Sequence, residues 1–168
     1  MIRSFAIGVG AALLLAAPAL ACTDISSAVV KLTGCVDEQW VAQEGAQALE
    51  FSYLTDDKNF ALQVVTEAEV IPAPTMRGAI LQNAANAVGG KTENVTIVSE
   101  RIENIDGKPF NEIEYTLTDG TNTLTYQNYY YSQPGLGTVQ ILALSAPTDT
   151  SAAAFKLGVF AGTVKIGG

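Results

Sequence analysis

Between Val95 and Ala146 the chain alternates apolar and polar residues with period two. Ile113, Tyr115 and Leu117 fall on one side of an extended strand, and Glu112, Glu114 and Thr116 fall on the other. That alternation predicts a sheet with one wet face. Asp106-Gly107 and Asp119-Gly120 can take positive φ cheaply, so each marks a hairpin turn, and Pro134-Gly135-Leu136-Gly137 marks a third. The predicted strands run from Val95 through Ile97 and Ser99, around Ile113 to Leu117, from Thr121 to about Ser132, and from Thr138 to Ala146. An earlier hairpin spans 48–65, with Leu49, Phe51 and Tyr53 on one face, a turn at Thr55-Asp56-Asp57-Lys58-Asn59, and a return strand from Phe60 to Val65.

Two stretches switch to helical spacing. Thr75 is placed to cap a helix running to Val88, with Met76, Ile80, Leu81, Ala84 and Val88 as its apolar side and Gly89-Gly90 as its stop. Pro147 and the Thr148-Asp149-Thr150-Ser151 cluster precede a last helix from Ser151 to about Lys165, whose apolar side holds Ala154, Phe155, Leu157, Val159, Phe160 and Val164. The segment from Thr23 to Trp40 is weaker, and Ile25, Val29, Val30 and Leu32 suggest a short helix before Gly34.

The first residues have another character. Arg3, an apolar run from Phe5 to Ala17 and small residues at Ala19 and Ala21 read as a cleavable export signal over 1–21. The run is short for a membrane span, which wants roughly 20 apolar residues. Cleavage leaves 147 residues, the size of one domain. The reading divides them into an amino-terminal segment, 22–39, and a single domain, 40–168. Export to the periplasm or beyond makes a Cys22–Cys35 disulfide plausible, because oxidising compartments let thiols pair. A second reading makes Cys22 the lipidated first residue of a mature lipoprotein, although Ala19 stands where such signals usually carry Leu.

Charge and composition mainly exclude. The mature part holds 17 acidic and 8 basic residues, a formal net charge of −9, which repels phosphate backbones and anionic lipids. Nucleic acid is therefore not an expected partner, and no membrane span is expected after cleavage. There is no histidine, so Ser-His-Asp and Cys-His schemes are excluded. Two cysteines 13 residues apart do not form a Cys-x-x-Cys pair, and no glycine-rich phosphate loop is present. Asp56-Asp57-Asn59 lacks the spaced ligands and terminal Glu of a calcium loop and reads as a plain turn. Catalysis would have to rest on carboxylates alone, with Glu100, Glu103, Glu112 and Glu114 as the candidates. No enzyme, metal or cofactor is expected.

Two features could support binding. In the strand Tyr126-Gln127-Asn128-Tyr129-Tyr130-Tyr131, alternation sends Tyr126 and Tyr130 to one face and Tyr129 and Tyr131 to the other, so both faces are covered. Tyr129 and Tyr131 then pack in the core or floor a binding surface. Trp40, the only tryptophan, either staples the amino-terminal segment to the sheet or anchors a ligand.

The stretch Asn104-Ile105-Asp106-Gly107-Lys108-Pro109 leads into Glu114-Tyr115-Thr116-Leu117, then into the Tyr-rich strand and a terminal helix. This order resembles the PsbP-like superfamily from about Trp40 to Ile166, a group that includes a photosystem II extrinsic protein, a Ran-binding import factor and small bacterial exported relatives. The resemblance implies an α+β fold, a central antiparallel sheet with helices packed on both faces, but no shared activity. The function expected is that of an exported, non-enzymatic accessory protein that binds another envelope protein. The alternative is a small-molecule or lipid carrier, with a cavity between sheet and helix lined by Tyr129, Tyr131, Ile80 and Phe155.

Overall fold

A computed structural model describes residues 22–44 and 49–167. The export signal read over 1–21 lies outside the described residues. In chain order the elements are β1 (Cys22–Ser26), β2 (Leu32–Asp37), β3 (Trp40–Ala42), β4 (Phe51–Thr55), β5 (Phe60–Glu67), α1 (Ala73–Ala87), β6 (Val95–Ile105), β7 (Lys108–Asp119), β8 (Asn122–Gln133), β9 (Gly137–Ser145), α2 (Thr150–Thr163) and β10 (Lys165–Ile166). Seven strands form one antiparallel sheet in the order β3-β4-β5-β9-β8-β7-β6. A smaller antiparallel sheet has the order β1-β2-β10.

The period-two alternation becomes two cores on opposite faces of the large sheet. On one face, α1 lays Met76, Ile80, Ala84 and Val88 over Ile113, Tyr115, Leu117 and Tyr130. On the other, α2 and the small sheet bring Leu157, Phe160, Leu32 and Val36 onto Leu62, Val64, Phe110, Tyr129, Val139 and Ile141. Each apolar side chain removed from water there contributes about 1.5–3 kcal/mol.

Local chemistry explains the boundaries. Helix α1 begins earlier than the Thr75 cap predicts: Pro72 occupies the capping position, and no side-chain cap bond forms. Proline suits this place because the first helical N–H groups have no partner within the helix. The helix ends as predicted at Gly89-Gly90, where the Gly90 N–H donates to the Ala85 carbonyl (2.9 Å) and the Gly89 N–H to Asn86 (3.1 Å), with positive φ at both glycines. Gly137 is required sterically: its φ is 101°, and a Cβ there would lie 2.2 Å from the Glu67 carbonyl oxygen.

The helix expected between Thr23 and Trp40 is instead the β1–β2 hairpin, with Cys22 opposite Asp37 and Ser26 opposite Thr33. Its Ile25, Leu32 and Val36 alternate inward, a strand pattern over a stretch too short to sustain helical spacing. The 22–39 segment is also no appendage, because those side chains belong to the α2-face core. Cys22 and Cys35 form a disulfide (Cα–Cα 5.6 Å), which leaves no free sulfur for the lipidated alternative. Thr163 fastens β2 to α2: its hydroxyl oxygen accepts from the Cys35 N–H (2.9 Å). At Asp106-Gly107 both φ angles are positive, and the Asp106 carboxylate accepts from the Ile166 N–H (2.8 Å) and pairs with Lys165 (3.2 Å). That turn therefore holds β10, the end of the described chain.

Candidate functional site

The residues singled out from sequence go into the core. Trp40 and Tyr129 are buried in the α2-face cluster, and Tyr131 packs against it, stacked on Phe110 at 5.1 Å between ring centroids. Trp40 lies on β3 opposite Thr55, with the Lys156 ammonium 5.9 Å from its ring centroid and bonded to Gln39 (2.8 Å). Trp40 and Tyr129 thus serve as core, whereas Tyr131 is part-buried and also lines a small hollow beside the start of α1. The cavity expected from Tyr129, Tyr131, Ile80 and Phe155 does not form. Ile80 is on the opposite face of the sheet from the two tyrosines, and Phe155 is 73% exposed on the outside of α2.

The carboxylates are also rearranged. Glu112, expected on a wet face, is 2% exposed. It pairs across the ladder with Arg101, whose Nε lies 2.6 Å from Glu112 Oε2. The Arg101 Nε–H is directed at Glu103 Oε1 (2.8 Å), so neither oxygen of Glu112 receives a directed hydrogen bond. Burial pushes the Glu112 carboxyl above the usual carboxylate range, opposed by Arg101 and reinforced by the charge of Glu103. Tyr129 beside it is pushed up to about 12, by burial first and then by Glu112 and Glu103. The cluster pairs a buried carboxylate with an arginine that is half in water. Asp57 is likewise occupied: its carboxylate accepts from Thr55 Oγ1 (2.6 Å), the Asn59 N–H (3.0 Å) and Asn59 Nδ2 (2.9 Å), a closed turn.

Two features that sequence reasoning missed do face outward. The first is a groove of about 400 Å³ on the α1 face, where that helix stops covering the sheet. Its wall is Met76, Ala79, Ile80, Asn83, Ala84 and Ala87 of α1, and its floor draws on β5, β9, β8 and β7. Register places Gln63, Leu142, Asn128 and Ile113 in one row across four strands. The floor thus alternates aliphatic and amide groups. Its phenols, Tyr115 and Tyr126, are stacked at 5.0 Å and are raised by burial above the normal phenol range, so they stay neutral. Among the described residues Glu67 is the only carboxylate in the lining. A wider hollow lies between β1, β2 and β10, but its Asp106 and Lys165 are paired to each other.

The second feature is strand β6. Its outer edge is unpaired among the described residues, and Ile97 (41%), Val98 (55%) and Ile102 (61%) are exposed along it. A register shift between Ile97 and Ser99 bends the strand. An alternation in which Ile97 and Ile102 did not keep step with the β7 pattern was the available signal, and it was weak.

No protein-family profile matches the chain, and no curated protein matches it in sequence. Solved structures do. The cyanobacterial PsbP, CyanoP, from Synechocystis sp. PCC 6803 superposes with a TM-score of 0.64 at 12% identity, covering 95% of this chain and 99% of that one. LpqN of Mycobacterium tuberculosis, described as involved in cell envelope biogenesis, superposes with a TM-score of 0.55 at 13% identity, covering 86% of this chain and 90% of that one. The chain has a PsbP-like α+β fold.

Proposed function

We propose that the chain is an exported, non-catalytic accessory protein that works by binding another protein of the cell envelope. The observation that carries this reading is the β6 edge, where three large aliphatic side chains stand in water along an unpaired strand. Such an edge offers main-chain donors and acceptors to an added strand and apolar anchors beside them. Export is supported by the signal read in the first residues, by the Cys22–Cys35 disulfide, and by LpqN, whose own role is stated as envelope biogenesis. No helix among the described residues is long and apolar enough to cross a membrane. The test is affinity capture from the native envelope after photo-crosslinking from position 102. A single stoichiometric partner, lost in Ile102→Lys, supports the reading. Equal recovery with Ile102→Lys, or no crosslinked partner, overturns it. The groove favours a second reading, the carrier, on a separate observation.

A further inference from the structure

The face of the β1–β2 hairpin turned away from the core gathers donors that suit a metal ion. Ile25, Leu32 and Val36 alternate inward, so Cys22, Asp24, Cys35 and Asp37 share the outer side. Asp24 stands directly opposite Cys35, and Cys22 precedes it by two residues on the same strand. One sulfur from each cysteine and one carboxylate oxygen of Asp24 all lie within 4.8 Å of one another. Cys22 and Asp24 are exposed and Cys35 is half-buried, so all three meet solvent. The Asp24 carboxylate makes no hydrogen bond or ion pair among the described residues. Asp37, opposite Cys22, is already engaged, because its Oδ1 accepts from the Gln39 N–H (2.9 Å). Lys165, which register places opposite Thr33, is committed to Asp106 (3.2 Å).

We propose that reduction of the Cys22–Cys35 disulfide turns this face into a zinc site, with the two thiolates and the Asp24 carboxylate as ligands and water in the fourth position. The exchange balances. A dithiol of the Cys-x-x-Cys type supplies two electrons and two protons and is itself oxidised, the S–S bond breaks, and the two thiols release their protons as the ion binds. Reoxidation by a disulfide restores the S–S bond and expels the ion. Zinc–sulfur bonds of about 2.3 Å at tetrahedral angles set the two sulfurs about 3.8 Å apart, with a carboxylate oxygen at about 2.0 Å from the metal. With the Cα atoms 5.6 Å apart, rotation of the two side chains reaches that separation. The backbone is held without the S–S bond: the Cys35 N–H donates to Thr163 Oγ1 (2.9 Å), β10 pairs with β2, and Ile25, Leu32 and Val36 sit in the core. Two thiolates select against calcium and magnesium, which take oxygen ligands, and the acidic balance of the chain draws cations toward it. The site is separate from the β6 edge and does not depend on docking there.

The purified protein, reduced with a phosphine and freed of it without air, is titrated with Zn2+ against a chromogenic chelator. One equivalent should bind, at least about a hundredfold more tightly than to the disulfide form. Asp24→Asn should weaken the reduced protein's affinity about tenfold with an unchanged circular dichroism spectrum. Asp56→Asn, in the turn between β4 and β5, should leave it unchanged. Co2+ in place of zinc should show thiolate-to-metal charge transfer, absent while the disulfide is intact. Zinc should raise the thermal midpoint of the reduced protein only. Equal binding by the disulfide form, which would show an adventitious ion only, overturns the proposal. So does undiminished affinity in Asp24→Asn, or a reduced protein that takes up no zinc.

Discussion

The two faces of the seven-stranded sheet are covered to different depths. On the α2 face a helix and a second sheet close over the strands, and the chain's cross-links gather there: the disulfide, the Thr163 bond to β2 and the Asp106 bond to β10. On the α1 face a single helix covers part of the sheet and leaves a groove whose floor draws on β5, β9, β8 and β7. Both faces also bury polar groups. The covered face buries a carboxylate with an arginine beside it and the Gln127 amide, the half-covered face buries the Asn128 amide, and the oxygens of both amides lack a partner. A fully closed layer can hold a charge only by bringing its counter-ion along.

Breaking the covered face should cost most. Leu157→Ala removes a fully buried α2 side chain from a layer that cannot collapse, and a loss of about 3–5 kcal/mol is expected in urea unfolding. Ile80→Ala, beside the groove, should cost nearer 2 kcal/mol, since water already reaches its neighbourhood. Equal losses would dissolve the comparison. Next, Cys22→Ser with Cys35→Ser opens a 13-residue separation and should cost about 3 kcal/mol by the chain-entropy argument, read as a lower denaturant midpoint under non-reducing conditions.

Arg101→Met tests the buried pair and depends on pH. It should cost about 2–3 kcal/mol at pH 8, below the figure for a fully buried pair because half of Arg101 is in water, and less near pH 5. The sign follows from Glu112, whose carboxyl is raised in the folded state. Between its unfolded and folded values the native protein binds the extra proton, so stability falls as pH rises through that window. Glu112→Gln should flatten that fall. Asp106 runs the other way. The Ile166 N–H and then Lys165 hold its carboxyl below the usual range, so its contribution is present above the unfolded value and is lost as pH falls through the folded one. In Asp106→Asn the acid limb of a pH–stability curve should shallow. Smallest of all, Asn128→Leu should stabilise the α1 face by up to about 1 kcal/mol by removing an unpaired acceptor, a change visible by calorimetry.

Much of the fold was legible. The β7 alternation of Ile113, Tyr115 and Leu117, the Asp-Gly turns, the split of the tyrosines between faces and the glycine stop of α1 all stand as read. The β1–β2 hairpin was not, because Ile25, Leu32 and Val36 are too few and too near Gly34 to decide between periods. The candidate site was not legible at all. Nothing local to Asn128 separates it from a solvated strand amide, and Trp40 and Tyr129 draw attention by their chemistry while serving as core.

Local order thus came from the sequence alone: which residues extend, where the chain turns, and which side chains share a face. These depend on φ preferences and on a strand period that neighbouring residues determine between themselves. What covers each face was decided only by the tertiary structure. Glu112 is buried on the α2 side of the sheet with Arg101 paired to it, and Asn128 lines a groove because α1 covers part of its sheet and no more. Burial is a property of elements distant in the chain brought together, and alternation records only the side on which a residue waits for them.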